Sequence, residues 1–223
     1  MAGVTATVAC ADAAQDKPAW PGVSERTREF ASRVFISSLF VVLAMNLGSE
    51  FLRTGHLTGL LLLVSETLVI VMTAVRRPAI IIDRTWQARV VAGASIVGVP
   101  LIRPFGDALI PDMYTALASA GGLAVIIIGK LTLGRSFGLM PAHRGLVCTG
   151  LYGWVRHPIY AGYLVTHAAF LVAHPAWWNV VLLVISDVSL LMRSVYEERT
   201  LARDPEYVGY MERVRWRVLP GVL

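Results

Sequence analysis

The chain has 223 residues, 56% of them hydrophobic and 16% charged, with a formal net charge of +5 at pH 7. Soluble domains carry about 25% charged and 45–50% apolar residues. The composition therefore excludes a disordered chain, a nucleic-acid-binding arm and a disulfide scaffold, and predicts one domain dissolved largely in lipid. Cys10 and Cys148 lie far apart and outside any paired spacing, so neither a disulfide framework nor a zinc site is expected.

Residues 1–30 read as a flexible N-terminal tail. It is Ala-rich, carries Asp12, Asp16, Lys17 and Pro18, and lacks the basic start and immediate apolar run of a signal peptide. Residues 31–223 form a single membrane domain. Its first apolar stretch is Val34–Leu47, extending to Leu52 if the helix accommodates Glu50. The second, Leu57–Val75, would rise about 28 Å as a helix, close to the thickness of the hydrocarbon layer. The third, Val90–Ile102, is shorter and interrupted by Gly93, Gly98 and Pro100. The fourth, Met113–Leu133, contains Lys130, which is expected to snorkel to the nearby membrane surface. Pro158–Ala173 and Trp177–Met192 are separated only by His174, Pro175 and Ala176. That link predicts an antiparallel helical hairpin with Trp177 and Trp178 at a water–lipid interface.

Charge gives an independent check on topology. With six spans, and with Lys130 counted to the link it borders, eighteen of the twenty Lys and Arg residues fall on one side, against Arg53 and Arg103 on the other. The positive-inside rule makes that side the cytoplasm. The expected fold is thus an all-α, multi-pass integral membrane bundle of about six transmembrane helices, five being the alternative count. It has a C-terminal helical hairpin, both termini in the cytoplasm and a cytoplasmic cofactor pocket. No internal repeat is visible, which argues against a secondary transporter.

Polar chemistry concentrates at 130–220, in two blocks that the hairpin brings to one membrane face. In Leu133–Tyr163, five glycines from Gly134 to Gly153 predict an irregular loop. Arg156-His157-Pro158 then starts a helix, with proline where its missing N–H costs nothing. His157 outside the helix and Tyr160 one turn inside either face a ligand together or serve as a cap and an interfacial anchor. In Arg193–Pro220, Arg193 and Glu197 stand four apart on one helical face while Glu198 turns away by about 100°. An ion pair on a solvated face and a functional pair are both open readings. Asp204-Pro205 reads as a cap and helix start. Tyr207, Tyr210 and Met211 form a stripe better suited to packing than to a ligand, and Arg213, Arg215 and Arg217 suit lipid phosphates.

The order of motifs is more specific than any one of them. Gly150 to Gly162 reads G-x-Y-x-x-x-R-H-P-x-Y-x-G, the hairpin follows, then R-x-x-x-E-E from Arg193 to Glu198 and E-Y-x-x-Y-x-x-R-V from Glu206 to Val214. This series resembles the isoprenylcysteine carboxyl methyltransferase family. That family is part of a wider set of integral-membrane methyltransferases that includes phospholipid N-methyltransferases and thiol S-methyltransferase-like proteins. The resemblance implies methyl transfer from S-adenosyl-L-methionine without a soluble dinucleotide-type domain. It implies a cofactor pocket lined by Gly145, Leu146, Val147, Tyr152, His157, Pro158, Tyr160 and Glu197. Arg193 would face the methyl acceptor, and Arg213 would help close or organise the site. The loop GRSFGLMPAHRG departs from that of the prenylcysteine enzymes, which leaves the acceptor open.

A carboxylate acceptor is the foremost expectation, needing only orientation, with Arg193 as its partner. A thiol or amine would need a base, for which His143, His157 and Glu198 are candidates. The acceptor is expected to be lipophilic and to enter from the bilayer, with no metal and no nucleic acid involved. S-, N- or O-methylation of another lipid, a non-catalytic transporter or sensor, and a membrane reductase are the alternative classes.

Overall fold

A computed structural model describes residues 23–75, 81–82, 85–136, 142–143 and 146–222. Most of the expected N-terminal tail lies outside the described residues. The helices are α1 (Val23–Thr54), α2 (Leu57–Val75), α3 (Trp86–Val97), α4 (Asp112–Leu133), α5 (Pro158–Ala173), α6 (Trp177–Leu201) and α7 (Pro205–Arg213). One two-residue antiparallel pairing joins β1 (Ile81–Ile82) to β2 (Ala142–His143).

Local chemistry sets the boundaries. Gly55, at φ +73°, turns the chain between α1 and α2. Asp112, at the start of α4, accepts hydrogen bonds from the Leu57 N–H (3.2 Å) and the Thr58 hydroxyl (2.9 Å), satisfying donors of the first turn of α2. The third apolar stretch forms a short helix that breaks at its glycine and proline, as the sequence predicts. Thr85 caps α3 by accepting from the Ala88 N–H, and α3 ends before Gly98 and Pro100, where a 3₁₀ turn runs from Val99 to Leu101. Asp204 caps α7 through the Glu206 N–H, with Pro205 in the first helical position, as the sequence predicts.

Helices α4 and α5 pack most closely. A Cβ added at Gly122 would lie 2.8 Å from the Gly162 carbonyl oxygen, and one at Gly162 would lie 2.6 Å from Ile126 Cγ1. Small residues let two helix backbones approach in lipid, where no hydrophobic force draws helices together. Polarity along α6 is inverted relative to a soluble helix. Asn179, Ser186 and Ser189 are buried, whereas Val181, Val184, Ile185, Val188 and Met192 are exposed. Among the described residues α4 and α6 are long and apolar enough to cross a membrane, and α5 is a shorter apolar helix.

Links between helices meet at opposite ends of the bundle. The β1–β2 pairing joins the link after α2 to the link after α4. At the other end Asn179 accepts from the Arg103 N–H (3.0 Å) and donates to the Arg103 carbonyl (2.7 Å). Two expectations are corrected. Lys130 does not snorkel: it is fully buried and donates to the Tyr163 hydroxyl at 2.9 Å. Cys148 is disulfide-bonded, although the cysteine spacing gave no sign of pairing.

The α4–α5 contact yields a paired test. Gly122→Ala should destabilise the protein by about 1–3 kcal/mol through overpacking. Gly121→Ala, whose Cβ would meet nothing within 4 Å, should be neutral or slightly stabilising. Thermal unfolding in one detergent compares the two; equal shifts would contradict the packing described.

Candidate active site

The α5–α6 hairpin brings the start of α5 beside the end of α6, and α6 continues beyond the apolar run to Leu201. His157 is the N-cap residue of α5 and Pro158 its first residue. After α7 the chain returns as an extended strap. Val155 pairs in parallel with Trp216, the Arg156 N–H donates to the Trp216 carbonyl (2.9 Å), and the His157 N–H donates to the Arg217 carbonyl (2.8 Å). The strap thereby fixes the backbone just ahead of α5.

Two adjacent glutamates organise the side chains. Glu197 Oε2 accepts from the Tyr160 hydroxyl at 2.7 Å, and Oε1 accepts from Arg193 Nε and Nη2, each at 3.0 Å. His157 Nδ1 stands 3.6 Å from Glu197 Oε2. The His157 and Tyr160 rings stack at 5.1 Å with planes 15° apart, and the Arg193 guanidinium lies 5.6 Å from the Tyr160 ring centroid. Glu198 faces another set of partners. Oε1 accepts from Arg156 Nε (2.8 Å) and lies 3.2 Å from His157 Nε2, while Oε2 accepts from Arg217 Nε (2.9 Å) and Nη2 (2.8 Å). His157 thus stands between the two carboxylates.

Burial alone would raise the Glu198 carboxyl, but hydrogen bonds from His157 and Arg217 and the charges of His157 and Arg156 hold it down at about 2. A carboxylate so stabilised is a poor proton acceptor at neutral pH, which removes Glu198 from the three candidate bases. His143 contributes its backbone to β2; its side chain lies outside the described residues. Among the described side chains His157 is the remaining candidate.

Of the other expected site residues, Tyr152 is buried in a 3₁₀ turn, Gly150–Gly153, and its carbonyl accepts from the Tyr210 hydroxyl at 2.7 Å. Burial first, then the Glu197 charge and Tyr210, push the Tyr152 phenol far above its ordinary range, so it stays neutral. Leu146 and Val147 are half-buried, and Leu146 packs on a cluster of Tyr207, Tyr210 and Val214. Gly145 lies outside the described residues. Arg213 is exposed at the end of α7 and is not among the groups gathered around the glutamates. Arg156 and Arg217, to which sequence reasoning gave no such role, hold Glu198 instead. A signal was present in the tail: Val214-Arg215-Trp216-Arg217-Val218 alternates apolar and basic residues, the period of an extended strand. Among the described residues no cluster of His, Cys, Asp and Glu is arranged to hold a metal ion.

Residues 113–211, from α4 through most of α7, match the family model for phospholipid methyltransferases. Over this segment the chain is similar to that family, which itself belongs to the isoprenylcysteine carboxyl methyltransferase-like family of membrane methyltransferases. No curated protein and no solved structure matches the chain. The candidate site therefore spans the matched segment and the strap that follows it, since Arg217 lies beyond the match.

The Glu198 clamp predicts an acid limit. A carboxyl group held below its ordinary value contributes stability above about pH 4.5, and that contribution is lost as pH falls toward about 2. The melting temperature of the wild type in detergent should fall through this window. Glu198→Gln should melt lower at pH 7 and lose less on acidification. Parallel curves for the two proteins would show that the clamp does not govern stability.

Proposed function

We propose that the protein transfers a methyl group from S-adenosyl-L-methionine to a lipophilic acceptor that enters from the bilayer, a carboxylate being the foremost acceptor. The observation that carries this reading is Arg193. Its guanidinium is tied to Glu197 and lies over the Tyr160 ring where α6 leaves its apolar run, within a segment that matches a methyltransferase family.

The residues present fit the cofactor. Glu197 offers a carboxylate and His157 and Tyr160 offer stacked ring faces, a donor set suited to a sulfonium and an ammonium group. Leu146, Val147, Tyr152 and Pro158 supply the surrounding apolar and backbone contacts, and Gly145 is assigned with them. When bound, the sulfonium supplies an electrophilic methyl group. The protein's own work is orientation and exclusion of water. Glu197 holds Arg193 and Tyr160 in place, and Arg193 aligns the acceptor. The strap and Glu198 keep His157 between the two carboxylates. Methyl transfer to a carboxylate neutralises charge, because carboxylate and sulfonium become ester and thioether, and a low-dielectric pocket favours that change. In this reading the bundle crosses the membrane six times, with both termini, the β1–β2 pairing and the site on the cytoplasmic side. The cation distribution supports that orientation. Arg213, exposed on α7, acts at the rim by meeting lipid phosphate.

A second reading is favoured by the description of the matched family, which names phospholipids. In that reading the acceptor is the amine of a phospholipid head group, and His157 accepts its proton. The pH–rate profile separates the two. A carboxylate acceptor predicts a rate nearly level from pH 6 to 9, whereas an amine predicts a rate that climbs with pH. For the carboxylate reading, Arg193→Ala should lower turnover per unit acceptor at least about 100-fold and Arg193→Lys nearly as much, because the planar fork is lost. Unchanged turnover in both variants would refute the role of Arg193.

A further inference from the structure

Lys130 is a fully buried charged residue on an apolar helix, and the methyl-transfer reading gives it no task. It lies in the last turn of α4, where a lysine normally reaches for the membrane surface. It turns inward instead. The side chain is fully buried, the ammonium donates to the Tyr163 hydroxyl at 2.9 Å, and it lies 5.1 Å from the centre of the Tyr163 ring. Tyr163 follows Tyr160 by three residues on α5, so the two share one helix face about 4.5 Å apart along the axis. Tyr160 carries the Arg193 guanidinium over its own ring at 5.6 Å. One stripe of α5 therefore presents two tyrosine rings, each with a cation beside it, at the membrane side of the Glu197 site.

We infer that Lys130 and Tyr163 form, with Arg193, a subsite for an oxyanion in the head group of the methyl acceptor. Two buried cations, each beside one of two tyrosine rings a helical turn apart, match a group whose negative charge is shared over several oxygens. Tyr163 holds the ammonium toward that group. The oxyanion is either the reacting carboxylate of a lipophilic acid or the phosphate diester next to the reacting amine of a phospholipid. The inference rests on the methyl-transfer reading and deepens it. Lys130 is a positioning residue that sets acceptor affinity.

Methyl transfer from S-adenosyl-L-methionine is measured with the full chain in phosphatidylcholine vesicles. One arm adds phosphatidylethanolamine and the other a long-chain carboxylic acid; S-adenosylhomocysteine binding is measured alongside. Lys130→Met should raise the acceptor KM about tenfold or more with a smaller change in kcat, and Lys130→Arg should recover most of the loss. Affinity for S-adenosylhomocysteine should not change. The arm that supports turnover in the wild type identifies the source of the oxyanion. An unchanged acceptor KM in Lys130→Met, or weakened S-adenosylhomocysteine binding instead, would overturn the inference. If Lys130→Met fails to fold, Tyr163→Phe decides: a KM raised about threefold supports the subsite, and an unchanged KM overturns it. A wild type that binds S-adenosylhomocysteine but methylates neither acceptor would also overturn it. A wild type that binds none would refute the methyl-transfer reading itself.

Discussion

Two neighbouring carboxylates at the end of α6 are the constraint on which the arrangement depends. Consecutive residues on a helix point about 100° apart, so Glu197 and Glu198 face different surroundings. A carboxylate taken wholly or partly out of water must be met by cations or hydrogen-bond donors. Glu198 is met by Arg156 ahead of α5 and Arg217 in the strap after α7, and so ties together parts of the chain far apart in sequence. Glu197 is met by Arg193 and Tyr160 and faces the place where chemistry is proposed. One glutamate builds the frame and its neighbour furnishes it, with His157 in contact with both.

The remaining architecture serves to hold that pair. A link of three residues forces α5 and α6 into a hairpin, which brings Pro158 and Glu198 to the same end of the bundle. Glycines in α4 and α5 allow a close helix approach, and this sets α5 and its aromatic stripe against Lys130. The strap adds backbone hydrogen bonds to Arg156 and His157, so the motif ahead of α5 is fixed by main chain as well as by charge. Removing water from such a network strengthens each of its electrostatic contacts.

Much of this was legible in the sequence where local rules dominate. The boundaries of α2 and α5 coincide with the apolar runs Leu57–Val75 and Pro158–Ala173, and the Asp204-Pro205 start of α7 follows from capping chemistry. Arg193 with Glu197 followed from i, i+4 spacing. What was not legible depends on tertiary context. Glu198 was seen to turn away from Glu197, but only the strap shows that it turns into the protein. The strap itself is five residues of alternating pattern at the end of a basic tail, too short for periodicity to separate it from a solvated arm. Lys130 read as a snorkelling residue because its distance from the helix end permits it; the tyrosine that draws it inward lies on another helix. The break in the third apolar stretch was legible as well, since α3 ends at the Gly98 and Pro100 that interrupt it.

The central claim is that the groups around Glu197 bind S-adenosyl-L-methionine. It is tested most directly by calorimetric titration of the nanodisc-embedded protein with S-adenosylhomocysteine, alongside Glu197→Ala and His157→Ala. Micromolar binding by the wild type, weakened at least about tenfold in both variants, is the predicted result. Folded wild-type protein that binds no S-adenosylhomocysteine, or variants that bind it as tightly as the wild type, would contradict the account.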